Sequence, residues 1–122
     1  MRIISGKLKG KKIFYFKSFI TRPLKDFVKE NIFNVITHSK LIKINLKNSN
    51  VLDLYSGIGS FGIECISRGA QKIYFVENDK RAVSTLKENL IHLSVEKNAK
   101  IISSSIENCF EKIEVKKFDI FF

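Results

Sequence analysis

A glycine-rich segment and a distant acid are the residues of this sequence whose types and spacing could do chemistry. Residues 53–62 read DLYSGIGSFG, and Glu77 lies 20 positions after Gly57. Gly57 and Gly59 can adopt positive φ and let a ligand approach the backbone, and a helix that starts behind them offers unpaired N–H groups. A carboxylate at the tip of the next strand can accept bonds from both hydroxyls of a ribose. The pattern predicts a site for a nucleoside-containing cofactor, with a plain tight turn as the alternative.

Asp53 bears on which cofactor this is. A dinucleotide site presents its glycines to a pyrophosphate, which a nearby carboxylate would repel. S-adenosylmethionine (SAM) has no phosphate and carries a sulfonium and an ammonium group, which an acid at the end of the first strand would attract directly or through water. An Asp that only caps the loop is the alternative. We therefore favour SAM over NAD, and an NAD-binding oxidoreductase is the less favoured interpretation.

Alternating strand and helix patterns must position these residues. Short apolar runs predict strands at 51–55, 73–77, 100–104 and 118–122, and helical spacing predicts helices at 61–67, 81–93 and 106–113. This order predicts an α/β, Rossmann-like parallel sheet of about four strands with right-handed crossovers. A complete doubly wound sheet needs on the order of 150 residues or more, whereas this chain has 122. We therefore expect an incomplete sheet and a C-terminally truncated sequence.

The positive charge is concentrated in the first fifty residues. The whole chain has a formal net charge of +10; residues 1–50 carry 12 basic side chains against Asp26 and Glu30, whereas residues 51–122 carry 10 of each sign. We therefore divide the chain into a basic extension, 1–50, and a partial cofactor-binding domain, 51–122. The excess predicts a surface for a polyanion, with nucleic acid as the leading partner and a solvated basic face as the alternative.

Two elements are predicted in this basic extension. Residues 2–5 and 11–16 suggest short strands of a hairpin around Gly6 and Gly10. A helix of about 14 residues is expected from Pro23 onward. Its apolar positions recur at helical spacing, namely Leu24, Phe27, Val28, Ile32, Val35 and Ile36. The aromatic residues at 14–16 could stack on bases, but packing of the hairpin is the favoured interpretation.

Several classes of protein are disfavoured. No apolar run approaches the roughly 18 residues of a membrane span, and the first ten residues lack the apolar core of a signal peptide. We therefore expect a cytoplasmic protein with no membrane partner. Cys65 and Cys109 lie 44 positions apart without a CxxC motif, which predicts two buried reduced thiols and no metal site.

Three segments carry a resemblance to a known family. The sequences RIISGKLKGKKI, TRPLKDFVKENIFNVI and VLDLYSGIGSFGIECISRGAQKIYFVENDKRAVSTLKENL resemble those of the RsmD-type 16S rRNA (guanine-N2)-methyltransferases, which are class I SAM-dependent enzymes. The resemblance covers effectively the whole chain. It implies methylation of the exocyclic N2 of a guanine in 16S rRNA, presented as free rRNA or in a small-subunit assembly particle, by a protein that is a monomer when full length.

The resemblance also implies roles for residues at matching positions. Glu77 would hold the ribose, Asn78 would flank the adenine, and Thr21, Arg22 and Pro23 would close over the methionine end of SAM. The loop residues that would shape the SAM site are Asp53, Tyr55, Ser56, Gly57 and Gly59. The residues that would hold rRNA are Arg2, Lys7, Lys9, Lys11, Lys12, Arg22 and Lys25.

The sequence departs from the family pattern at two places. After the third strand the family commonly has an Asp that binds the adenine amine, and here Ser105 is the candidate for that contact. Family members also continue from a segment like FDIFF into an [N/D]PPY motif, which binds the target amine and stacks on the flipped base. We therefore expect the catalytic residues beyond Phe122, and we expect the chain as given to bind the cofactor weakly or not at all and not to turn over. A non-catalytic RNA-binding domain and a DNA or protein methyltransferase remain alternatives.

Overall fold

The computed structural model of the protein describes residues 1–16, 25–41, 44–113 and 118–122. Short, mainly apolar runs of two to six residues form the strands, and segments with helical apolar spacing form the helices between them. Along the chain these elements are α1 (Asp26–His38), β1 (Asn50–Leu54), α2 (Ser60–Ser67), β2 (Lys72–Glu77), α3 (Lys80–His92), a 3₁₀ turn (Glu96–Asn98), β3 (Ala99–Ser103), α4 (Ile106–Lys112) and β4 (Ile120–Phe121). The predicted alternation of strands and helices is confirmed.

The four strands form one parallel sheet in the order β3-β2-β1-β4. The chain builds outward from β1 to β3 and then crosses back to place β4 on the other side of β1. Because parallel crossovers are right-handed, this reversal puts α4 on the face opposite to α2 and α3. The gap between the carboxyl ends of β1 and β4 is the topological switch point, where ligands bind in open α/β sheets. The predicted α/β class and the four parallel strands are confirmed.

Alternate residues of the central strands pack on opposite faces of the sheet. Val51, Ile73 and Phe75 face α2 and α3 and join a large apolar cluster that includes Ile63, Ile66, Leu86 and Leu90. On the other face a smaller cluster contains Leu52, Tyr74, Val76, Ile102 and Cys109. Both cysteines are buried free thiols, as predicted, but they lie in different clusters: Cys65 in the first and Cys109 in the second.

Helix α1 differs from the prediction in its start and in its buried face. It begins at Asp26, after an extended Lys25, while the predicted first residue, Pro23, lies outside the described residues. Phe27 and Val35 were expected in the apolar face but are more than half exposed, whereas Phe33 and Lys29 are completely buried. Ile32 and Ile36 do pack against the core as predicted. The buried Lys29 interrupts the apolar periodicity, and this is why the sequence pattern places only part of the buried face correctly.

The N-terminal segment pairs its two ends in a minimal hairpin: Ile3 N–H donates to Lys11 O at 3.0 Å, and Ile13 N–H donates to Met1 O at 3.1 Å. A single antiparallel bridge joins Arg2 and Lys12, and the backbone between them closes through local turns such as Lys9 N–H to Gly6 O. The loop gains its order by docking on the end of α2, where the Ser67 hydroxyl accepts a bond from Leu8 N–H at 3.0 Å and donates one to Ser5 O at 2.6 Å. The predicted hairpin is therefore present as a pairing of residues 1–3 with residues 11–13, but it is a single bridge and not two strands over 2–5 and 11–16.

Glu64 of α2 anchors the same loop. Its two carboxylate oxygens accept bonds from Ile4 N–H at 2.7 Å and Ser5 N–H at 3.2 Å. Lys29 Nζ lies 3.6 Å from Glu64 Oε1, and Arg68 Nε lies 3.5 Å from Oε2. Glu64 is completely buried, so these two cations and two N–H groups replace the water that the carboxylate loses.

Lys29 connects α1 to the N-terminal loop and to the start of α2. Its ammonium group donates to Arg2 O at 3.0 Å and to the Ser60 hydroxyl at 3.2 Å. Burial lowers the pKa of Lys29, and the neighbouring carboxylate of Glu64 opposes this shift. The first strand of the sheet, α1 and the N-terminal loop share one apolar cluster through Val51, Phe33 and Ile3. The division at residue 50 stays a prediction about sequence organisation.

The described residues contain neither a membrane-spanning helix nor a cluster of metal ligands. No helix in this part of the chain is long and apolar enough to cross a membrane. Within the same residues, no group of three or more His, Cys, Asp or Glu side chains is arranged to hold a metal ion.

Candidate cofactor site

The glycine-rich loop follows β1 at the carboxyl edge of the sheet and turns directly into α2. Three of its residues have positive φ: Tyr55 at 54°, Gly57 at 57° and Gly59 at 92°. Ser56 ties the loop to the neighbouring strand, because its N–H donates to Val76 O at 3.0 Å and its hydroxyl donates to the same oxygen at 3.4 Å. The loop is thus a fixed bend at the position where the fold places ligands.

Glu77 closes this loop from the end of β2. Its Oε1 accepts a bond from Gly57 N–H at 2.9 Å, and its Oε2 accepts bonds from Asn78 N–H at 3.0 Å and Asp79 N–H at 3.1 Å. A carboxylate offers about four lone-pair positions. Three are therefore occupied by backbone N–H groups, and Glu77 has capacity for one more donor in this arrangement.

Two glycines near the loop serve packing rather than ligand approach. A Cβ on Gly59 would lie 2.3 Å from Leu86 Cδ1, and one on Gly62 would lie 2.3 Å from Phe75 Cε1. The absent side chains let α2 lie close to α3 and to the sheet. For Gly59 the sequence analysis expected close approach of a ligand, whereas the structure shows close approach of the neighbouring helix.

Asp53 lies beneath the loop and does not line its outer surface. Its side chain is 2% exposed, and Oδ2 accepts a bond from Gly62 N–H, in the first turn of α2, at 3.2 Å. Burial raises the pKa of Asp53 to about 8, and the bond from Gly62 opposes this rise. The carboxylate therefore occupies an N–H group at the start of α2, where a dinucleotide fold would bind pyrophosphate.

A cleft of about 190 Å³ opens beside the loop at the carboxyl ends of β2 and β3. Four predicted cofactor residues line it together: Tyr55, Glu77, Asn78 and Ser105. Tyr55 is 77% exposed, so its ring stands at the mouth of the cleft. Ser105 precedes α4 and its side chain makes no capping bond to that helix. The remaining lining residues are Val76, Ser104, Ile106 and Glu107.

The predicted RNA-binding residues lie away from this cleft. Lys7 N–H donates to Ser67 O at the far end of α2, and a helix of eight residues separates that point from the loop by about 12 Å. The described members of the set are all exposed, namely Arg2, Lys7, Lys9, Lys11, Lys12 and Lys25. Thr21, Arg22 and Pro23, predicted to close over the cofactor or to hold RNA, lie outside the described residues.

Asn89 is a residue near the loop that the sequence analysis missed. It is completely buried on α3, and its amide donates to Ile58 O, inside the glycine-rich loop, at 3.1 Å. The same side chain also bonds both backbone groups of Phe14. Its position within the apolar spacing of α3 offered no signal that set it apart from other polar residues of that helix.

The comparison with protein families decides the family. The family model described as "Conserved hypothetical protein 95" matches residues 1–122. The chain belongs to this family. The resemblance to the RsmD-type methyltransferases is also confirmed by curated relatives that carry the name "Ribosomal RNA small subunit methyltransferase D".

The relatives of this family member are longer proteins. The protein of that name from Buchnera aphidicola subsp. Baizongia pistaciae is 35% identical over 122 residues, which is 100% of this chain and 59% of the relative. The one from Haemophilus influenzae is 35% identical over 124 residues, which is 100% of this chain and 61% of the relative. The chain thus spans about three fifths of their length.

Solved structures of the same fold include two candidate methyl-transferring proteins. One from Escherichia coli shares 28% identity with a TM-score of 0.71, covering 86% of this chain and 52% of that one. One from Haemophilus influenzae shares 32% identity with a TM-score of 0.66, covering 98% and 61%. This chain therefore has the class I methyltransferase fold.

Proposed function

We propose that the chain carries the SAM-binding and RNA-holding part of a methyltransferase that modifies the exocyclic N2 of a guanine in 16S rRNA. The observation that carries the choice of cofactor is the bond between Asp53 and Gly62 N–H. The Asp53 carboxyl group occupies the N–H at the start of α2 that a diphosphate would need. A sulfonium or ammonium cation beside it would lower its raised pKa and so gain a carboxylate partner. The names of the relatives, which refer to small-subunit ribosomal RNA, support the substrate.

The lining of the cleft fits the nucleoside end of SAM. Glu77 has one free acceptor position for a ribose hydroxyl, and a second hydroxyl bond requires one backbone N–H to leave it. Asn78 and Ser105 offer polar groups to an adenine edge, and the exposed ring of Tyr55 offers an apolar surface. Bound SAM would supply a methyl group on a positively charged sulfur; Asp53, ionised in response to that cation, would stabilise the charge from beneath the loop.

Lysine and arginine side chains of the N-terminal loop are the proposed RNA contacts. Their exposure leaves the charges free to replace counterions on phosphates, which gives affinity that falls steeply with salt. Such contacts position an RNA without reading its bases. The proposed cytoplasmic location and a monomeric state of the full-length protein accompany this function as predictions.

The cofactor proposal is tested by NMR titration of the chain with SAM, which detects binding in the millimolar range as well as tighter binding. We expect amide shifts at Gly57, Asn78 and Ser105, and an affinity at least about tenfold weaker in Glu77→Ala, because the variant loses the ribose acceptor and the anchor of Gly57. Glu96→Gln, an exposed change beside β3, is the control. Shifts with NADH but none with SAM would overturn the proposal.

The substrate proposal is tested by direct binding and by the products of labelling. We expect a small-subunit rRNA fragment to bind with an affinity that falls as salt rises, and a double substitution of Lys9 and Lys11 by Glu to weaken it. Any methyl group transferred from labelled SAM should be recovered as N2-methylguanosine. Transfer to DNA or protein instead would favour the alternative methyltransferases, and RNA binding without a SAM response would favour the non-catalytic RNA-binding domain.

A further inference from the structure

Phe14 and Phe16, which follow the N-terminal loop, both contact α3. Phe14 packs on His92 with ring centroids 4.9 Å apart, and the guanidinium of Arg81 lies 4.2 Å from the centroid of the Phe16 ring. These two contacts bracket Asn89 along the helix. Helix α3 is therefore the shared support of residues 14–16 and of the loop.

Asn89 bonds to both of these segments with one side chain. Its Oδ1 accepts from Phe14 N–H at 2.7 Å, and its Nδ2 donates to Phe14 O at 3.1 Å and to Ile58 O at 3.1 Å. Both amide hydrogens are thus used, one on each segment. Since a buried amide that loses a partner pays a desolvation cost, the two segments are held in place together.

Ile58 connects this amide to the proposed cofactor site. It lies between Gly57, which binds Glu77, and Gly59, from which α2 starts. A shift of the Ile58 carbonyl therefore moves the backbone that carries the Gly57 N–H group toward or away from Glu77. Asn89 itself does not line the cleft, so any effect on the cofactor must pass through Ile58.

We propose that Asn89 is a positioning residue that fixes the glycine-rich loop through the Ile58 carbonyl and couples this loop to the N-terminal segment at Phe14. The proposal rests on the proposed function and adds a regulation of the same site. In this proposal RNA binds the basic N-terminal loop more tightly when residues 14–16 are packed on α3, so bound RNA raises the population in which Asn89 donates to Ile58 O. By linkage, RNA then strengthens SAM binding, and SAM strengthens RNA binding by the same factor.

The decisive experiment measures the SAM dissociation constant of the chain with and without a short unstructured RNA oligonucleotide. Asn89→Asp keeps the size and one acceptor of the side chain but removes both donors. We expect wild-type affinity for SAM to rise with RNA, and the variant to bind SAM about tenfold more weakly with no response to RNA. Asn98→Asp is the matched control, because Asn98 also donates to a backbone carbonyl, that of Gln71 at the opposite edge of the sheet.

Each outcome decides the proposal. A folded Asn89→Asp variant with wild-type affinity overturns it, and so does weakened SAM binding that still responds to RNA as wild type does. Asn89→Ser, which leaves room for water, replaces the first variant if thermal melts show that Asn89→Asp is unfolded. RNA dependence is the readout that a purely structural role would not change.

A second measurement separates this proposal from the proposed function. If the wild-type chain binds neither SAM nor RNA, the proposed function is wrong, and hydrogen exchange then tests the coupling alone. If the amide hydrogens of Gly57, Gly59 and Phe14 all exchange faster in the Asn89 variant, then Asn89 holds both segments against α3 as proposed. Unchanged exchange at the two glycines overturns it.

Discussion

The two ends of α2 each hold a buried carboxylate, and the two groups are treated in opposite ways. Glu64, toward the end of the helix, accepts two backbone N–H groups and has two cations within ion-pair distance. Asp53, beneath its start, accepts one N–H group, and none of the described cations forms an ion pair with it.

Glu64 is therefore a structural carboxylate paired by the fold, whereas the carboxyl group of Asp53 is left for a cationic ligand to pair. A buried carboxylate with two cationic partners is neutralised by the fold itself, and its role is to fasten α1 and the N-terminal loop to α2. The carboxyl of Asp53 lacks such a partner, and burial raises its pKa to about 8. A positively charged cofactor above the loop would supply the cation that Asp53 lacks. The contrast between Glu64 and Asp53 therefore supports SAM as the cofactor.

The largest expected effect comes from removing the neutralised carboxylate. Glu64→Ala leaves Lys29 buried without its partner and two N–H groups of the N-terminal loop unpaired, so we expect a loss of about 3–5 kcal/mol in the free energy of unfolding. Urea denaturation measures it. Glu88→Gln on the exposed side of α3 should stay within about 0.5 kcal/mol of wild type. Equal effects of the two changes would remove the structural role given to Glu64.

A smaller loss is expected where the N-terminal loop touches the end of α2. Gly6 and Gly10 have nearly the same positive φ, at 87° and 84°, but a Cβ on Gly6 would lie 2.0 Å from Ser67 O while one on Gly10 meets nothing within 4 Å. Gly6→Ala should therefore cost about 1–3 kcal/mol more than Gly10→Ala, which has only the backbone strain. Thermal melts of the pair test this, and equal shifts would show that the loop does not dock as described.

The carboxyl group of Asp53, which has no cationic partner among the described residues, should affect the pH dependence of stability. Because its pKa is raised, native Asp53 keeps a proton that the unfolded chain releases near pH 4. Its contribution to stability is therefore complete below about pH 4, falls as pH rises, and is lost by about pH 8. Asp53→Asn should remove a slope of at most about 1.4 kcal/mol per pH unit in that window. Parallel pH profiles of unfolding for the two proteins would contradict the raised pKa.

The smallest effect is expected at Tyr55. Its φ of 54° is a strained backbone conformation for this residue type. Asn adopts positive φ more readily than Tyr, so Tyr55→Asn should raise stability by about 0.5–1 kcal/mol while weakening SAM binding. Thermal melts and the SAM titration measure the two effects. Val35→Asn, an exposed change on α1, is the control that should leave SAM binding unchanged.

The sequence predicted the sheet well because its signals are local. Apolar runs and glycine-containing turns placed every strand of the sheet to within a few residues, and the acid at 77 was placed at the end of β2. Four of the eleven predicted cofactor residues line one cleft, namely Tyr55, Glu77, Asn78 and Ser105.

The parts that escaped prediction depend on polar groups buried by distant segments. Lys29 and Glu64 belong to one network across 35 positions of sequence, and Asn89 contacts a segment 75 positions away. Nothing in helical periodicity distinguishes these residues from surface polar residues, because only the docked N-terminal loop makes their burial favourable. The same loop keeps only a minimal hairpin, since the N–H groups of residues 4, 5, 7 and 8 donate to Glu64 and Ser67 of α2 and not to a second strand.

The placement of the two thiols on opposite sides of the sheet has a practical consequence. Burial raises the pKa of both Cys65 and Cys109, so each becomes reactive toward alkylating reagents only when its own layer opens. Labelling rates at Cys65 and Cys109 thus report separately on breathing of the α2–α3 layer and of the α4 layer, without any probe added to the chain.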